Sequence, residues 1–475
     1  MQPHGRTSLG ISRIRATQEE GTIAAISTPF GESGIGIVRI SGSVAEPIAQ
    51  KLFRPKKGQT HLISHRFNYG EIVDPEGTPV DEVLMVLMKS PKTYTREDTV
   101  EIHCHGGYFI LQRVLELVLQ QGARMAQPGE FTKRAFLNGR IDLTQAEAVI
   151  DLIKAKTAAS LAIANQQLRG RLSRGMTELK SKLVDKLALI EAHIDFPEEE
   201  IEPIALGKMR QDLAEMIQEI EGWVASYEEG RVFREGIQCA IIGKTNVGKS
   251  SLLNILLREE RAIVTPIPGT TRDVIEEVLN IEGIPVRLMD TAGLRKAKDS
   301  IEEEGVRRAR ERVADADLVL LMLDGNRELD ADDMEILEET KEKKRVVIIN
   351  KNDLPLRVSV EDVKKNLRED PVVSISALRN KGIEDLKKSI YHSLIQRDLR
   401  ATPEHLVLAN IRHKNALNQA KDNLSSTLKG LEEGISLEFV ALEIRSSLEA
   451  LGEMVGETTS DEVLNRIFEQ FCIGK

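Results

Sequence analysis

The sequence predicts a multidomain chain of α+β and α/β class: an N-terminal α+β domain, a discontinuous helical domain, and an α/β domain inserted into it. Three observations carry this. The 475 residues exceed what one hydrophobic core usually organises. A helical period of apolar residues occupies about 139–234 and returns after about 400, so one helical domain split by an insertion is the economical reading. Between the two halves, short apolar strands alternate with helical segments, the pattern of a doubly wound, mostly parallel sheet.

Bulk properties narrow the function classes. The chain is 41% hydrophobic and 29% charged with a formal net charge of −10, so an RNA partner needs a local basic surface rather than a global pull. No apolar run approaches the roughly 20 residues that span a bilayer. Residues 1–20 form a polar stretch without a signal-peptide apolar core, expected to be a disordered extension or a mis-called start. Cys104, Cys239 and Cys472 are odd in number and far apart, which suggests neither a disulfide framework nor a zinc site and fits a reducing cytoplasm.

Along the N-terminal domain, 21–138, "TIAAISTP", "GIGIVRISG", "VDEVLMVLM" and "TVEIHCHGG" read as strands, and "YFILQRVLELVLQQG" as a helix closed by Gly122. The first part of the helical domain, 139–234, contains "DLTQAEAVIDLIKAKTAASLAIANQQL", "MTELKSKLVDKLALIEAHI" and "KMRQDLAEMIQEIEGWVASYEEG", with the acidic turn "DFPEEEIEP" between the last two. The insertion, 235–396, carries the strands "IQCAIIG", "IPVRLMD", "ADLVLLMLDG", "KRVVIINKND" and "PVVSISAL". The second helical part, 397–475, holds "LANIRHKNALNQAKDNL" and "SLEFVALEIRSSLEALGEMVG" and ends on "FCIGK".

The insertion contains a nucleotide site. "GKTNVGKSS", Gly243 to Ser251, matches G-x-x-x-x-G-K-[ST] between an apolar strand and a helix. Its glycines let backbone N–H groups wrap phosphates, Lys249 supplies a catalytic charge, and Ser250 can ligate Mg2+. The span Asn246, Val247, Gly248, Lys249, Ser250 and Ser251 is therefore expected to hold the nucleotide. "DTAG" (Asp290, Thr291, Ala292, Gly293) ends a strand where a carboxylate can hold the magnesium shell and a glycine can meet the γ-phosphate. In "NKND", Asn350 and Lys351 precede Asp353, which can accept both guanine N1–H and the exocyclic amine, a pair adenine does not offer. Ser376, Ala377 and Leu378 brace the base from the next loop.

These motifs, in this order, resemble the translation-factor-like GTPases, so the insertion reads as a P-loop GTPase domain binding GTP rather than ATP. Leu294 stands where a Ras-type enzyme carries its water-orienting glutamine, so another device is required. Asn246 and the segment "TPIPGTTRD" (Thr265, Pro266, Ile267, Pro268, Gly269, Thr270, Thr271 onward) are the unusual features. Two readings stand side by side: Asn246 and loop carbonyls hold a monovalent cation, or Asn246 only braces the loop.

Over nearly its full length the chain resembles the MnmE/TrmE family of tRNA-modification GTPases. The features that carry the resemblance are "GIGIVRISG", "EIHCHGG", "PGEFTKRAFLNGRIDLTQAEAVIDLI", the inserted GTPase domain and the terminal "FCIGK". The resemblance implies a K+-dependent GTPase, with K+ held by Asn246, Thr265, Ile267 and Thr270, and Mg2+ by Ser250 and Thr271. It implies that Glu302 orients the attacking water indirectly; on chemistry alone the triplet Glu302, Glu303 and Glu304 is also the solvated start of a helix. It implies an N-terminal domain that dimerises and binds a formyl-tetrahydrofolate-type cofactor through Arg39, Glu101, Arg140 and Lys475. The implied partners are tRNA, modified at C5 of the wobble uridine, and a MnmG/GidA-type FAD protein in a heterotetramer.

The tail stays open between two roles. "CIGK" is a poor prenylation signal. Cys472 is either a small hydrophobe at a packed helix end or, by the resemblance, a thiol near the folate pocket that serves uridine modification as a catalytic nucleophile or by orienting the substrate. The "HCH" at 103–105 admits a metal reading but lacks a third ligand, and His105 before two glycines belongs with the folate-site strand or its turn. Arg412, His413 and Lys414 offer an RNA surface or simply a solvated helix face. The rival function is a ribosome-assembly GTPase switch that binds rRNA; a membrane-remodelling GTPase lacks a lipid-binding signal here.

Overall fold

The structure, a computed structural model, describes residues 21–29, 31–56, 62–196, 205–260, 278–289, 313–358, 361, 363, 367, 370–395 and 406–475. The first sheet contains β1 (Ile23–Ile26), β2 (Ser33–Ser41), β3 (Phe53–Pro55), β4 (Phe67–Val73), β5 (Pro79–Met88), β6 (Thr99–Gly106) and β7 (Arg124–Met125), in the order β3-β4-β5-β6-β2-β1-β7. Every pairing is antiparallel except β1 with β7. Strand alternation decides what each face carries. Val38, Ile40, Val100, Ile102 and Cys104 point into a core covered by α1 (Ala45–Leu52) and α2 (Tyr108–Gln120). Arg39, Glu101, His103 and His105 therefore share the other face, with Arg39 opposite Glu101 in the β2–β6 register.

Three strands of this sheet, β3, β4 and β7, escaped the sequence pattern, and for the first two the reason is visible. The core-facing positions of β4 are Asn68, Gly70 and Ile72, so the apolar alternation is broken. Gly70 is needed there, because a Cβ would lie 2.4 Å from Arg54 O and 2.5 Å from the Phe53 ring on the neighbouring β3. Buried Asn68 is satisfied by donating to Arg66 O and Met85 O.

After α3 (Glu130–Leu137) the chain turns helical: α4 (Leu143–Lys154), α5 (Ala158–Leu168), α6 (Arg171–Asp195), α7 (Leu206–Ala225) and α8 (Tyr227–Glu235). The pattern over 142–168 looks continuous but breaks before Thr157, whose hydroxyl accepts from Ser160 N and caps α5. Asp142 and Gln145 form a capping box that starts α4.

The inserted unit has β8 (Ile237–Ile242), α9 (Lys249–Glu259), β9 (Val278–Ile281), β10 (Ile284–Leu288), β11 (Leu318–Asp324), α10 (Ala331–Glu339), β12 (Arg345–Asn350), β13 (Val372–Ser374) and α11 (Ile383–Leu394). Its sheet runs β13-β12-β11-β8-β10-β9, parallel except for the antiparallel edge pair β9–β10. Both faces are covered, and the core reaches beyond the insertion: Val232 and Phe233 of α8 belong to it, and Ala159 and Ile163 of α5 pack against it.

The chain returns through α12 (Ile411–Glu433) and α13 (Leu437–Val455), which pack with α6 and α7 around Leu179, Leu213, Leu417, Leu424 and Ile444. The last helix, α14 (Asp461–Phe468), packs Leu464 and Phe468 onto Leu143, Ala146 and Ile150 of α4, bringing the C-terminus back to the first sheet. No described helix is long and apolar enough to cross a membrane.

Candidate functional site

β8 delivers the phosphate loop. Its fully apolar end runs into Gly243, and α9 begins at Lys249, so the first-turn N–H groups of the helix and its macrodipole face the loop. Gly248 has φ +106°, and a Cβ there would meet Asn350 Nδ2 at 2.2 Å, which makes glycine obligatory. Asn246 is exposed and holds φ +61°, a region asparagine tolerates better than most residues. Ser250 and Ser251 lie in the first turn of α9, and Lys249 Nζ donates to Gly243 O and Lys244 O, each at 2.6 Å.

The later motifs converge on the same loop. Asn350, at the end of β12 and 3% exposed, donates through Nδ2 to Val247 O at 2.7 Å and accepts at Oδ1 from Ala377 N at 2.9 Å. One side chain thus ties the phosphate loop to the Ser376–Leu378 segment. Asp353 accepts from Ser376 Oγ at 2.6 Å, and this bond holds its carboxyl below the usual range, so it stays an acceptor. Leu378 is exposed, and Lys351, at φ +68°, pairs with Asp324 at 2.6 Å. Lys244, which the motifs do not mark, pairs with Asp330 and Asp332 at the start of α10. Thr265, Pro266, Ile267, Pro268, Gly269, Thr270, Thr271, Asp290, Thr291, Ala292, Gly293 and Glu302 lie outside the described residues, as does 1–20.

A second cluster forms on the first sheet, where the C-terminal tail docks. Arg39 Nε donates to Glu101 Oε1 at 2.9 Å, and its Nη1 donates to Gly474 O at 3.3 Å. Ser27 Oγ also donates to Gly474 O. Burial and then Arg39 hold the Lys475 ammonium below its ordinary range, with Glu101 and Cys472 opposing. Three predicted residues, Arg39, Glu101 and Lys475, are thereby together. Glu101 Oε2 is left 3.5 Å from His103 Nε2, a buried nitrogen with no hydrogen-bond partner. An uncommitted carboxylate oxygen beside an orphaned imidazole nitrogen suits a ligand whose edge both donates and accepts, as a pterin does.

Arg140 comes from another element. Gly139, at φ +68°, closes α3 with a Schellman pair, Gly139 N to Phe136 O and Arg140 N to Ala135 O, and this delivers Arg140 to the surface. Its guanidinium lies 4.7 Å from the Tyr94 ring centroid, and Arg39 lies 5.8 Å from the same ring. Tyr94, in the polar loop "SPKTYTRED", has no periodicity to mark it.

Two expectations change. Cys472 is exposed, so the packed-end reading is replaced; its carbonyl accepts from Gly129 N and Lys475 N. Burial pushes the other two thiols, Cys104 and Cys239, up to about 12. Of the "HCH" histidines, His105 bonds Asp81 at 2.7 Å and His103 Nε2 lies 3.5 Å from Glu101 Oε2 without a hydrogen bond; the described residues contain no metal-binding cluster of His, Cys, Asp and Glu. Arg412 and His413 are not a free basic face: Arg412 donates twice to Glu147, at 2.9 and 2.8 Å, and fully buried His413 meets the same carboxylate at 2.6 Å. Lys414 is committed as well, to Glu228 and the Tyr227 ring.

Comparison with known proteins agrees with this layout. The family model for the GTP-binding protein TrmE N-terminus matches residues 22–140, and that for the MnmE helical domain matches residues 143–472. The chain is 50% identical over 457 residues to the tRNA modification GTPase MnmE of Geobacter sulfurreducens, covering 96% of this chain and 99% of that one. It is 47% identical to the protein of the same name from Thermoanaerobacter pseudethanolicus, with 96% and 99% covered. A solved structure of an Aquifex aeolicus Era variant bound to GDP and AlF4− aligns at 27% identity over 39% of this chain and 66% of that chain, with a TM-score of 0.26, too low to bear on fold or site. With one family model spanning most of its length and full-length relatives near half identity, the chain belongs to the MnmE family of tRNA modification GTPases.

Proposed function

We propose that this chain is a K+- and Mg2+-dependent GTP hydrolase that, with a MnmG/GidA-type flavin partner, adds an aminomethyl-type group to C5 of the tRNA wobble uridine. The observation that carries the GTPase reading is the Asn350 bridge, which fastens the phosphate loop to the base-binding segment in a chain 50% identical to a tRNA modification GTPase.

The residues take these roles. Lys249 is released from its loop carbonyls to meet β- and γ-phosphate oxygens, and backbone N–H groups from Asn246 to Ser251 line the phosphates. Asp353, kept ionised by Ser376, accepts the guanine edge, while Ala377 and Leu378 pack beside the base. Ser250 and Thr271 hold Mg2+. Asn246, Thr265, Ile267 and Thr270 hold K+, which supplies the positive charge that an arginine finger supplies elsewhere. Glu302 orients the attacking water indirectly. Asp290, Thr291, Ala292 and Gly293 read the γ-phosphate and the metal shell, and Pro266, Pro268 and Gly269 belong to the GTP-binding segment.

A formyl-tetrahydrofolate-type cofactor fits the second cluster and would supply the one-carbon unit. Glu101 and His103 face its pterin edge, Arg39 and Arg140 its anionic side, and Lys475 closes the pocket beside exposed Cys472. The N-terminal unit, 21–138, pairs with a second copy; in support, Phe67, Tyr69 and Leu84 are 61%, 45% and 44% exposed on one face of the sheet. The four-part division at 138, 234 and 396, the heterotetramer with the flavin protein and a cytoplasmic location complete the reading.

Mass spectrometry of tRNA nucleosides from cells lacking the protein, beside restored cells, is the test. Loss of C5-aminomethyl-type wobble uridines, recovered on restoration, is the expected result. Unchanged nucleosides, with no second enzyme supplying them, overturn the tRNA role in favour of an rRNA-binding assembly switch.

A further inference from the structure

We infer that the Tyr94 ring is the positioning platform of the folate site, holding the Arg39 and Arg140 guanidinium groups at a fixed separation so that one pterin cofactor with an anionic tail engages both. The inference rests on the folate reading above and goes beyond its four residues.

The two arginines come from elements that share no backbone hydrogen bonds. Arg39 is on β2, tied to Glu101 and to the tail carbonyl of Gly474. Arg140 follows α3, and its Nη1 donates to Tyr94 O at 3.2 Å. The Tyr94 ring is where they meet, with guanidinium carbons 5.8 and 4.7 Å from its centroid. Phe131, 5.7 Å from the Arg39 guanidinium, adds a second aromatic contact on the Arg39 side alone. Guanidinium groups stack on aromatic faces without spending their N–H donors. Both arginines therefore keep donor capacity for a carboxylate while their planes are held.

The platform is itself fixed. Tyr94 Oη and Thr132 Oγ1 are 2.9 Å apart, joining the ring to α3. The next residue is pinned from both sides: Asn138 Nδ2 donates to Thr95 O at 2.7 Å, and Thr95 Oγ1 bonds Ser41 Oγ at 2.6 Å on β2. The loop that carries Tyr94 is thus bonded to both elements that supply the arginines. A ligand meeting this arrangement orders few side chains on binding, which is how rigid supports raise affinity.

The experiment is titration of the full chain with 5-formyl-tetrahydrofolate by calorimetry, comparing wild type, Tyr94→Phe and Tyr94→Leu, with thermal unfolding to verify each fold. Phe keeps the ring and loses only the Thr132 bond, so it should bind within about threefold of wild type. Leu removes both cation–π contacts and should bind about tenfold more weakly. In an Arg140→Ala background, Tyr94→Leu should cost only about threefold, because one of its two contacts is already gone. Tyr94→Met repeats the comparison if the Leu variant unfolds early. Leu and Met variants that bind like wild type overturn the inference, as does a Phe variant as weak as Leu. So does a full tenfold loss in the Arg140→Ala background, which marks a general packing role. No binding by wild type is a separate outcome: it removes the folate reading itself, and the platform with it.

Discussion

Replacing Glu147 with Gln removes one negative charge from the joint between α4 and α12 while keeping the volume. Glu147 is 5% exposed and accepts from Arg412 Nε, Arg412 Nη2 and Asn410 Nδ2, with His413 Nε2 at 2.6 Å. Burial pushes its carboxyl up, but His413 and then Arg412 outweigh burial and hold it at about 2, against an ordinary 4.5. That gap corresponds to about 3 kcal/mol of stability at ~1.4 kcal/mol per pH unit. The cost of breaking a buried ion pair, about 3–5 kcal/mol, is independent and of the same size. The folded value lies below the unfolded one, so the contribution is complete above pH 4.5 and is lost as the pH falls from there toward about 2. The assay is urea unfolding followed by Trp223, the sole tryptophan, which packs against the helical core. With a slope of about 2 kcal/mol per molar urea, the midpoint should fall by about 1.5 M at pH 7. The gap between wild type and variant should already shrink by about 1 kcal/mol at pH 4. Adding Arg412→Met should recover part of the loss, because the unpaired, partly buried cation is then gone. A midpoint at pH 7 within about 0.3 M of wild type would refute the reasoning.

Further outcomes are expected at the nucleotide site. Asn246→Ala should abolish the preference of GTP hydrolysis for K+ over Na+; Asn246→Gly, which suits φ +61° without strain, should do the same, and persisting K+ stimulation in both removes the cation assignment. Asp353→Asn should weaken GTP binding by about 100-fold, the worth of two hydrogen bonds to a charged acceptor, while improving xanthosine triphosphate binding; equal loss of both nucleotides contradicts the guanine-edge role. Gly248→Ala should eliminate nucleotide binding, since its Cβ would stand 2.2 Å from Asn350 Nδ2, and measurable affinity in a fluorescent-GDP titration would contradict the tight loop.

Much of the nucleotide site is legible in the linear sequence. The phosphate loop is a short contiguous motif whose ligands are mainly its own backbone, so a few residues between a strand and a helix define it. Asn350, Asp353 and Ser376 each follow an apolar strand end, and parallel pairing of β12 with β13 brings those ends together. The β2 and β6 strands are equally plain, because alternation alone separates Val38 and Ile40 from Arg39. β4 is not, because Asn68 and Gly70 occupy its inner face to admit β3 closely.

What only tertiary structure decided is the company each polar side chain keeps. Arg412 and His413 look like a basic helix face, yet α4 presents Glu147 to them from 265 and 266 residues away and turns the pair inward. Cys472 follows an amphipathic helix and looks packed, yet Phe468 and Phe471 take the core positions and leave its thiol exposed. Tyr94 sits in an unpatterned loop and becomes a contact between Arg39 and Arg140 only because β2 and the end of α3 are bonded to the same turn. Local motifs and periodicity set which backbone forms and which face is apolar, since those depend on neighbours in the chain. Long-range packing sets which charges meet and which are buried, because desolvation and ion pairing depend on neighbours in space.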